Sequence, residues 1–136
     1  MNDGGTEIGH GQWRGYTWSV LIEPDGDEHL LLADLLSSDG RRRTSGMGGP
    51  ITWPDRPLNV YAGTADGFPL TLLARTDRAQ DLELRVDGED VTPVWSQVSD
   101  GIHYLFHLIP QSAAVSRVEI VGRTESGEMR EVLRLP

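Results

Sequence analysis

The chain has 136 residues and a formal net charge of −9, and it contains no cysteine and no lysine. The length fits one domain of ordinary size. Without cysteine there can be no disulfide, thiolate metal site or cysteine nucleophile, and without lysine there can be no P-loop lysine or Schiff base. An acidic surface repels phosphate backbones and anionic lipid, so neither nucleic acid nor a membrane is expected as a partner.

The first eleven residues are polar and rich in glycine, which predicts a flexible N-terminal tail over residues 1–11. They contain neither the basic region nor the apolar stretch of a signal peptide, and no later segment is apolar over the length of a membrane span. With Met1 as the native start, these features predict a cytoplasmic protein. Residues 12–136 are expected to form a single β-rich domain, and no sequence feature implies a cofactor.

Most of the remaining chain has the pattern of short β-strands. Apolar residues occupy every second position from Tyr16 to Ile22, which is the period of a strand with one buried face. Pro93 interrupts one later segment and indicates an edge strand or a bulge. Glycine-containing turns separate several of the strand-like segments, which are residues 58–62, 70–75, 82–86, 91–98, 102–109, 117–122 and 129–135. This spacing predicts a mainly β fold: a single antiparallel β-sandwich of immunoglobulin type, or a small barrel.

The stretch between residues 28 and 38 is ambiguous. The leucines at 31, 32, 35 and 36 have helical spacing, and Asp25 or Asp27 could cap a short helix near 28–37. The same residues also fit a strand that is buried on both faces. The helix is slightly favoured.

Three consecutive arginines, Arg41, Arg42 and Arg43, precede a glycine-rich stretch that predicts a loop ending near Pro50. Arginine makes bidentate bonds to anions, and glycine lets backbone amides approach them, so the loop could hold an anion. The alternative is a solvated loop whose arginines neutralise nearby carboxylates. If the loop makes contacts, we expect an acidic protein partner or another copy of this chain through its acidic residues 76–90. Trp53, near the end of the loop, is included in this candidate partner-binding surface.

His103 and His107 have a spacing that binds zinc on a helix. The alternation of apolar residues from Ile102 to Ile109 predicts a strand instead, along which four residues span about 13 Å, too far for one metal ion to reach both rings. The sequence therefore predicts no metal site and places both histidines on the less buried face of the strand. They stay as candidates for a pocket between sheets.

A resemblance covers about residues 16–54. The segments Ala33-Asp34-Leu35-Leu36, Arg43-Thr44-Ser45-Gly46-Met47-Gly48 and Trp53-Pro54, with Gly40 between the first two, resemble the SsgA-like cell-division and sporulation proteins of actinomycetes. Those short acidic proteins have an Asp-Leu-Leu helix, a glycine-rich loop and a Trp-Pro, and they organise division proteins without catalysis. The resemblance implies an actinobacterial assembly protein. It ends at the C-terminal half, where the family has helices and this chain has the pattern of strands.

Together these features predict a non-catalytic protein-interaction or assembly module, with exposed strand edges or the arginine loop as its contact surface. The second interpretation is a small β enzyme or ligand carrier that uses carboxylates and His103 or His107 in a pocket between sheets. No catalytic residue is assigned.

Overall fold

The computed structural model describes residues 5–26, 28–48, 58–65 and 67–134. Within these ranges the chain forms twelve β-strands and no helix, so the predicted mainly β fold is confirmed. None of the described residues belongs to a helix that could cross a membrane. The chain divides into two compact units, one within Met1–Pro50 and one within Ile51–Pro136, where the sequence predicts one domain over residues 12–136.

The first unit is a four-stranded antiparallel sheet in which neighbouring strands follow each other along the chain. Its strands are β1 (Thr6–Trp13), β2 (Tyr16–Asp25), β3 (Glu28–Ser37) and β4 (Arg42–Met47). Residues 6–11, which the sequence predicts as part of a flexible tail, lie in β1. Gly11 lies close against the buried Trp18, and a Cβ at this position would be 2.8 Å from Cζ2 of that ring. Pairing with β2 therefore orders a strand that has few apolar side chains of its own.

One face of this sheet is buried and the other is half-exposed. Buried side chains alternate along β3 and continue across the sheet at Trp18 and Val20 of β2 and at Ser45 of β4. The opposite face carries four partly exposed leucines, here called the leucine face. They are Leu21, Leu30, Leu32 and Leu36.

The favoured helical interpretation of residues 28–37 is wrong, because these residues form β3. Leucines occupy both faces of the strand, so the run of apolar residues lacks the alternation that distinguishes a strand from a helix. β3 pairs with β2 along its whole length and with β4 on its other side. These pairings between strands, and not the local pattern of leucines, determine that the segment is a strand. Asp34 to Leu36, which the SsgA-like resemblance places in a helix, lie in this strand.

The second unit is a β-sandwich, as the sequence predicts. Its first sheet has the order β5-β6-β10-β9 and its second the order β12-β11-β7-β8, with all pairs antiparallel. The core between the sheets contains buried aliphatic side chains from both, among them Leu72 and Leu105 from the first and Leu84, Val118 and Ile120 from the second. The strands are β5 (Asn59–Gly63), β6 (Leu70–Thr76), β7 (Asp81–Val86), β8 (Glu89–Val91), β9 (Trp95–Ser99), β10 (Ile102–Ile109), β11 (Arg117–Thr124) and β12 (Gly127–Arg134).

Pro93 lies between two strands that belong to different sheets. The predicted strand over residues 91–98 is divided into the end of β8 and the whole of β9, and the chain passes from one sheet to the other between them. Both strands are the last in their sheets, in agreement with the edge position that the proline indicates.

Candidate protein-binding site on the first sheet

The arginine segment is largely part of a strand. Arg42 and Arg43 open β4, which continues to Met47, and they pair with Leu36 and Leu35 of β3. The predicted loop over residues 41–50 is therefore wrong for residues 42–47 and right for Arg41. The connection between β3 and β4 consists of the four residues 38–41. Among the strands of the described residues, β4 is the last of its sheet.

The side chains of Arg42 and Arg43 lie on opposite faces of the sheet. Arg43 lies on the buried face, where its Nε donates a hydrogen bond to Ser45 Oγ at 3.1 Å, and its buried Nη1 has no hydrogen-bond partner in the described part of the chain. Arg42 lies on the leucine face, is 62% exposed, and has its Nε 3.4 Å from Asp34 Oδ2. The hydroxyl of Thr44 donates to the other oxygen of Asp34 at 3.0 Å.

The turn before β4 is held by a small polar network. The Ser37 hydroxyl donates a hydrogen bond to Asp39 and accepts one from the Arg41 backbone N–H at 3.0 Å. The Arg41 Nε also donates to Asp39, at 3.1 Å. The bond from Ser37 and then the bond from Arg41 lower the pKa of the Asp39 carboxyl, which keeps it ionised beside the arginine. The Arg41 side chain remains 50% exposed.

The hydrogen-bond pattern identifies the backbone groups that β4 directs away from its sheet. Ser37 N–H donates to the Arg41 carbonyl at 2.7 Å, so these two residues form a hydrogen-bonded pair. Bonded and non-bonded pairs alternate along an antiparallel ladder, and no register shift interrupts this one. The N–H and C=O groups of Arg42, Thr44 and Gly46 therefore point outward. We call this set the β4 edge.

Two glycines bring the leucine face up to this edge. A Cβ at Gly46 would lie 2.5 Å from Leu32 Cδ2, and a Cβ at Gly48 would lie 2.8 Å from Leu30 Cδ2. The side chains of Leu32 and Leu30 thus occupy the space that side chains at positions 46 and 48 would otherwise fill. Partly exposed methyl groups and outward backbone groups lie next to each other along one border of the sheet.

The acidic segment 76–90 contains a second strand edge. β7 and β8 form a hairpin around Asp87 and Gly88, whose φ angles of 49° and 86° fit a two-residue turn. The Asp87 carboxylate accepts hydrogen bonds from the backbone N–H groups of Ser116 and Arg117, at 3.1 and 2.9 Å. Asp90 is 83% exposed, with Oδ1 3.1 Å from Arg85 Nε. β8 is the last strand of its sheet.

An ion-pair network on the sandwich was missed by the sequence analysis. Glu119 of β11 is only 4% exposed, and its carboxylate lies 2.9 Å from Arg117 and 3.0 Å from Arg130. In the same sheet Arg123 donates to Glu83 at 2.7 Å, and this bond raises the pKa of the guanidinium. The alternation of charged residues along β11 is the signal that could have indicated it. The acidic and basic side chains of this network pair with each other, so we infer that the network stabilises the sheet.

The two histidines of β10 differ in their surroundings. His107 belongs to the set of alternate residues that includes the core residues Leu105 and Ile109. The alternate set with Tyr104, Phe106 and Leu108 is more completely buried, so both histidines lie on the less buried face of the strand, as the sequence predicts. Its Nδ1 accepts a hydrogen bond from the backbone N–H of Val94 at 3.1 Å. Burial lowers the pKa of its imidazole to about 4, so the ring is neutral at physiological pH.

His103 lines a groove of about 380 Å³ in the second unit, and His107 is not among the lining residues. The groove is lined by Gln80, Asp81, Leu82, Ser96, Gln97, Val98, His103 and Tyr104. The structure therefore does not bring the two histidines together in this groove. In the described ranges, no three side chains of histidine, aspartate or glutamate are grouped as metal ligands would be.

The candidate partner-binding residues thus differ in their exposure and in the face of the sheet on which they lie. Arg41 and Arg42 are exposed at the start of the β4 edge, Arg43 lies on the buried face, and Trp53 falls outside the described residues. The leucine face could have been recognised from the sequence only if β3 had been identified as a strand.

Comparison with known proteins gives no relative: no protein-family model matches the chain, and no match is found among curated proteins or solved structures.

Proposed function

We propose that this protein is a non-catalytic interaction module that binds an extended segment of a protein partner along the β4 edge. The observation that carries the proposal is the position of the leucine face beside outward backbone groups of a terminal strand. Sheet edges recruit extended peptides through main-chain hydrogen bonds, while pockets for alternate side chains provide specificity.

The surroundings of the edge define the partner's chemistry. A strand added to β4 directs every second side chain towards the leucine face, so apolar residues at alternate positions match Leu30 and Leu32. Arg42 lies on the same face and Arg41 precedes it, which favours a carboxylate in the partner at that end. Their present bonds to Asp34 and Asp39 involve exposed arginines and are worth little, so they can be exchanged for bonds to a partner.

The second unit supports the same class of function. Naming β5 to β12 as strands A, B, C, C′, D, E, F and G gives sheets in the order A-B-E-D and G-F-C-C′. This is the strand order of immunoglobulin-type sandwiches, and we propose that the unit is one of them. Because such folds have many functions, the strand order supports only the architecture of the second unit, and the proposed binding role rests on the β4 edge.

The test uses two substitutions of one residue. Thr44→Pro removes an outward N–H without removing a hydrogen bond to β3, whereas Thr44→Val removes the hydroxyl that binds Asp34 and keeps the N–H. Peptides selected from a displayed library for binding to the wild-type protein should bind Thr44→Val within about threefold and Thr44→Pro at least tenfold more weakly, since tenfold is about 1.4 kcal/mol.

Amide hydrogen exchange gives an independent readout. On peptide binding, the outward amides of Arg42, Thr44 and Gly46 should exchange more slowly, while the amides of Arg43 and Ser45 are already bonded to β3. Selected peptides that bind equally well to Thr44→Pro, with no protection along β4, would contradict the proposal.

A second candidate function rests on the groove around His103. Gln80, Asp81, Gln97 and His103 are among the residues that line it, and polar side chains of these types bind small polar ligands, as in the ligand-carrier interpretation. Titration with simple sugars and small carboxylic acids tests it: shifts of the His103 ring resonances that are lost in Gln97→Ala would favour it. Absence of such shifts with all probes would leave the β4 edge as the functional site.

A further inference from the structure

We infer that β8 of a second copy of this chain binds the arginine end of the β4 edge, so that copies associate head to tail. The inference rests on the proposed function, because it uses the β4 edge as the binding site. Its basis is charge complementarity between two strands that each end a sheet: β4 begins with two arginines, and β8 begins with Glu89 and Asp90.

The charge distribution favours this contact over other contacts between copies. The chain has a net charge of −9, so most encounters between two copies bring like charges together. Arg41 to Arg43 form the longest run of basic residues in the sequence. The β7–β8 hairpin is acidic at its end, with Asp90 83% exposed and Glu89 exposed beside it. Contact between these two segments is therefore attractive.

Backbone geometry makes the two strands compatible. The two-residue turn at Asp87 and Gly88 makes Val86 and Glu89 the bonded pair that closes the hairpin, so the next pair, Arg85 and Asp90, is not bonded. The N–H and C=O of Asp90 consequently point away from β7. Asp90 of one copy can form a hydrogen-bonded antiparallel pair with an outward residue of the β4 edge in another.

The charges select one register for this pair. With Asp90 opposite Arg42, the antiparallel direction puts Glu89 opposite Arg43, and each opposed pair of side chains shares a face of the joined sheet. A shift of two residues towards the end of β4 would oppose Asp90 to Thr44 and Glu89 to Ser45, and both charge pairs would be lost. The structure thus favours a single arrangement, with Asp90 against Arg42.

The test reverses the charges on each strand. The β4 variant is Arg41→Glu with Arg42→Glu, and the β8 variant is Glu89→Arg with Asp90→Arg; Asp87 is left unchanged because it binds Ser116 and Arg117. β8 has only three residues, so we expect a weak contact, measured by light scattering and sedimentation up to about 1 mM protein at low salt.

The wild-type mass should rise with concentration and fall back towards the monomer at about 1 M salt, where the screening length is about 3 Å. Each variant alone should associate at least tenfold more weakly. An equimolar mixture should associate more strongly than either variant alone, because it restores the wild-type contact between the intact β4 edge and the intact β8 and opposes Asp90→Arg to Arg42→Glu in the reversed contact. Arg78→Glu with Arg134→Glu makes the same change in net charge at two other exposed arginines and should associate like the wild type.

Three results would overturn the inference: a wild-type protein that stays monomeric, association that the variants retain, or a mixture that fails to recover it. A monomeric protein that still binds selected peptides through Thr44 would overturn the head-to-tail contact alone and leave the proposed function in place. Circular dichroism checks folding. If a reversed variant does not fold, serine at the same two positions replaces it, and each serine variant should also weaken association.

Discussion

At the scale of single residues, burial determines whether a titratable side chain affects folding or binding. Glu119 is buried and His107 half-buried in the sandwich, but their neighbours differ. Two arginines lie within 3.0 Å of the Glu119 carboxylate, whereas the hydrogen-bond partner that the described residues provide for His107 is the backbone N–H of Val94. Protonation of His107 in the folded protein is therefore unfavourable, because no described neighbour is shown to compensate the charge.

This difference predicts a pH-dependent loss of stability. Above the ordinary imidazole pKa of 6.5, His107 is neutral in both the folded and the unfolded chain and has no effect. Between pH 6.5 and about 4 the unfolded chain takes up a proton that the folded chain does not, so the free energy of unfolding falls. With allowance for the partial exposure of the ring, the loss is about 2 kcal/mol by pH 4.

His107→Asn keeps an acceptor near Val94 and cannot be protonated in this range. Thermal denaturation from pH 7 to pH 4 should show a smaller decrease in Tm for this variant than for the wild type, and His103→Asn on the same strand is the control. Parallel Tm curves for His107→Asn and the wild type would show that burial of this histidine is not what destabilises the fold in acid.

At the scale of strands, alternation separates two neighbouring arginines that the sequence treats as one group. Replacing Arg43 with glutamate puts a carboxylate on the buried face beside Leu35 and removes the bond to Ser45, so Arg43→Glu should lower the free energy of unfolding by about 2 kcal/mol. Arg42→Glu loses one exposed ion pair and should cost less than about 1 kcal/mol. Urea denaturation of both variants measures the difference, and equal losses would contradict the assigned faces of β4.

Alternation on one face with a glycine turn beside it correctly predicted β2, β7 and β10. β6 and β11 were also predicted as strands, although consecutive residues of both are buried. β3 does not have this alternation, because leucines cover both its faces, and β1 does not, because its order comes from contact with Trp18 and not from its own composition. The candidate site depended on both strands of the β3–β4 hairpin, so the arginines were found from the sequence and the leucine face was not.

At the scale of the whole molecule, the two ends of the proposed contact are different surfaces of the same chain. A contact between unlike surfaces leaves one free edge at each end of a dimer, so association continues to longer chains unless the geometry closes a ring. A contact of β4 with β4 would instead use the same surface twice and stop at two copies. The distribution of masses therefore separates the two arrangements.

Mixing two variants that are each defective on one strand tests this directly. Arg42→Pro removes the outward N–H that pairs with Asp90 and keeps β8 intact, whereas Glu89→Arg with Asp90→Arg has an intact β4 edge and a reversed β8. Each alone should be monomeric, and the equimolar mixture should form one contact and stop at a 1:1 dimer, because the two remaining edges are blocked and reversed. Sedimentation at several mixing ratios measures the stoichiometry. If the β8 variant alone dimerises and does not bind Arg42→Pro, β4 pairs with itself and the head-to-tail arrangement is wrong.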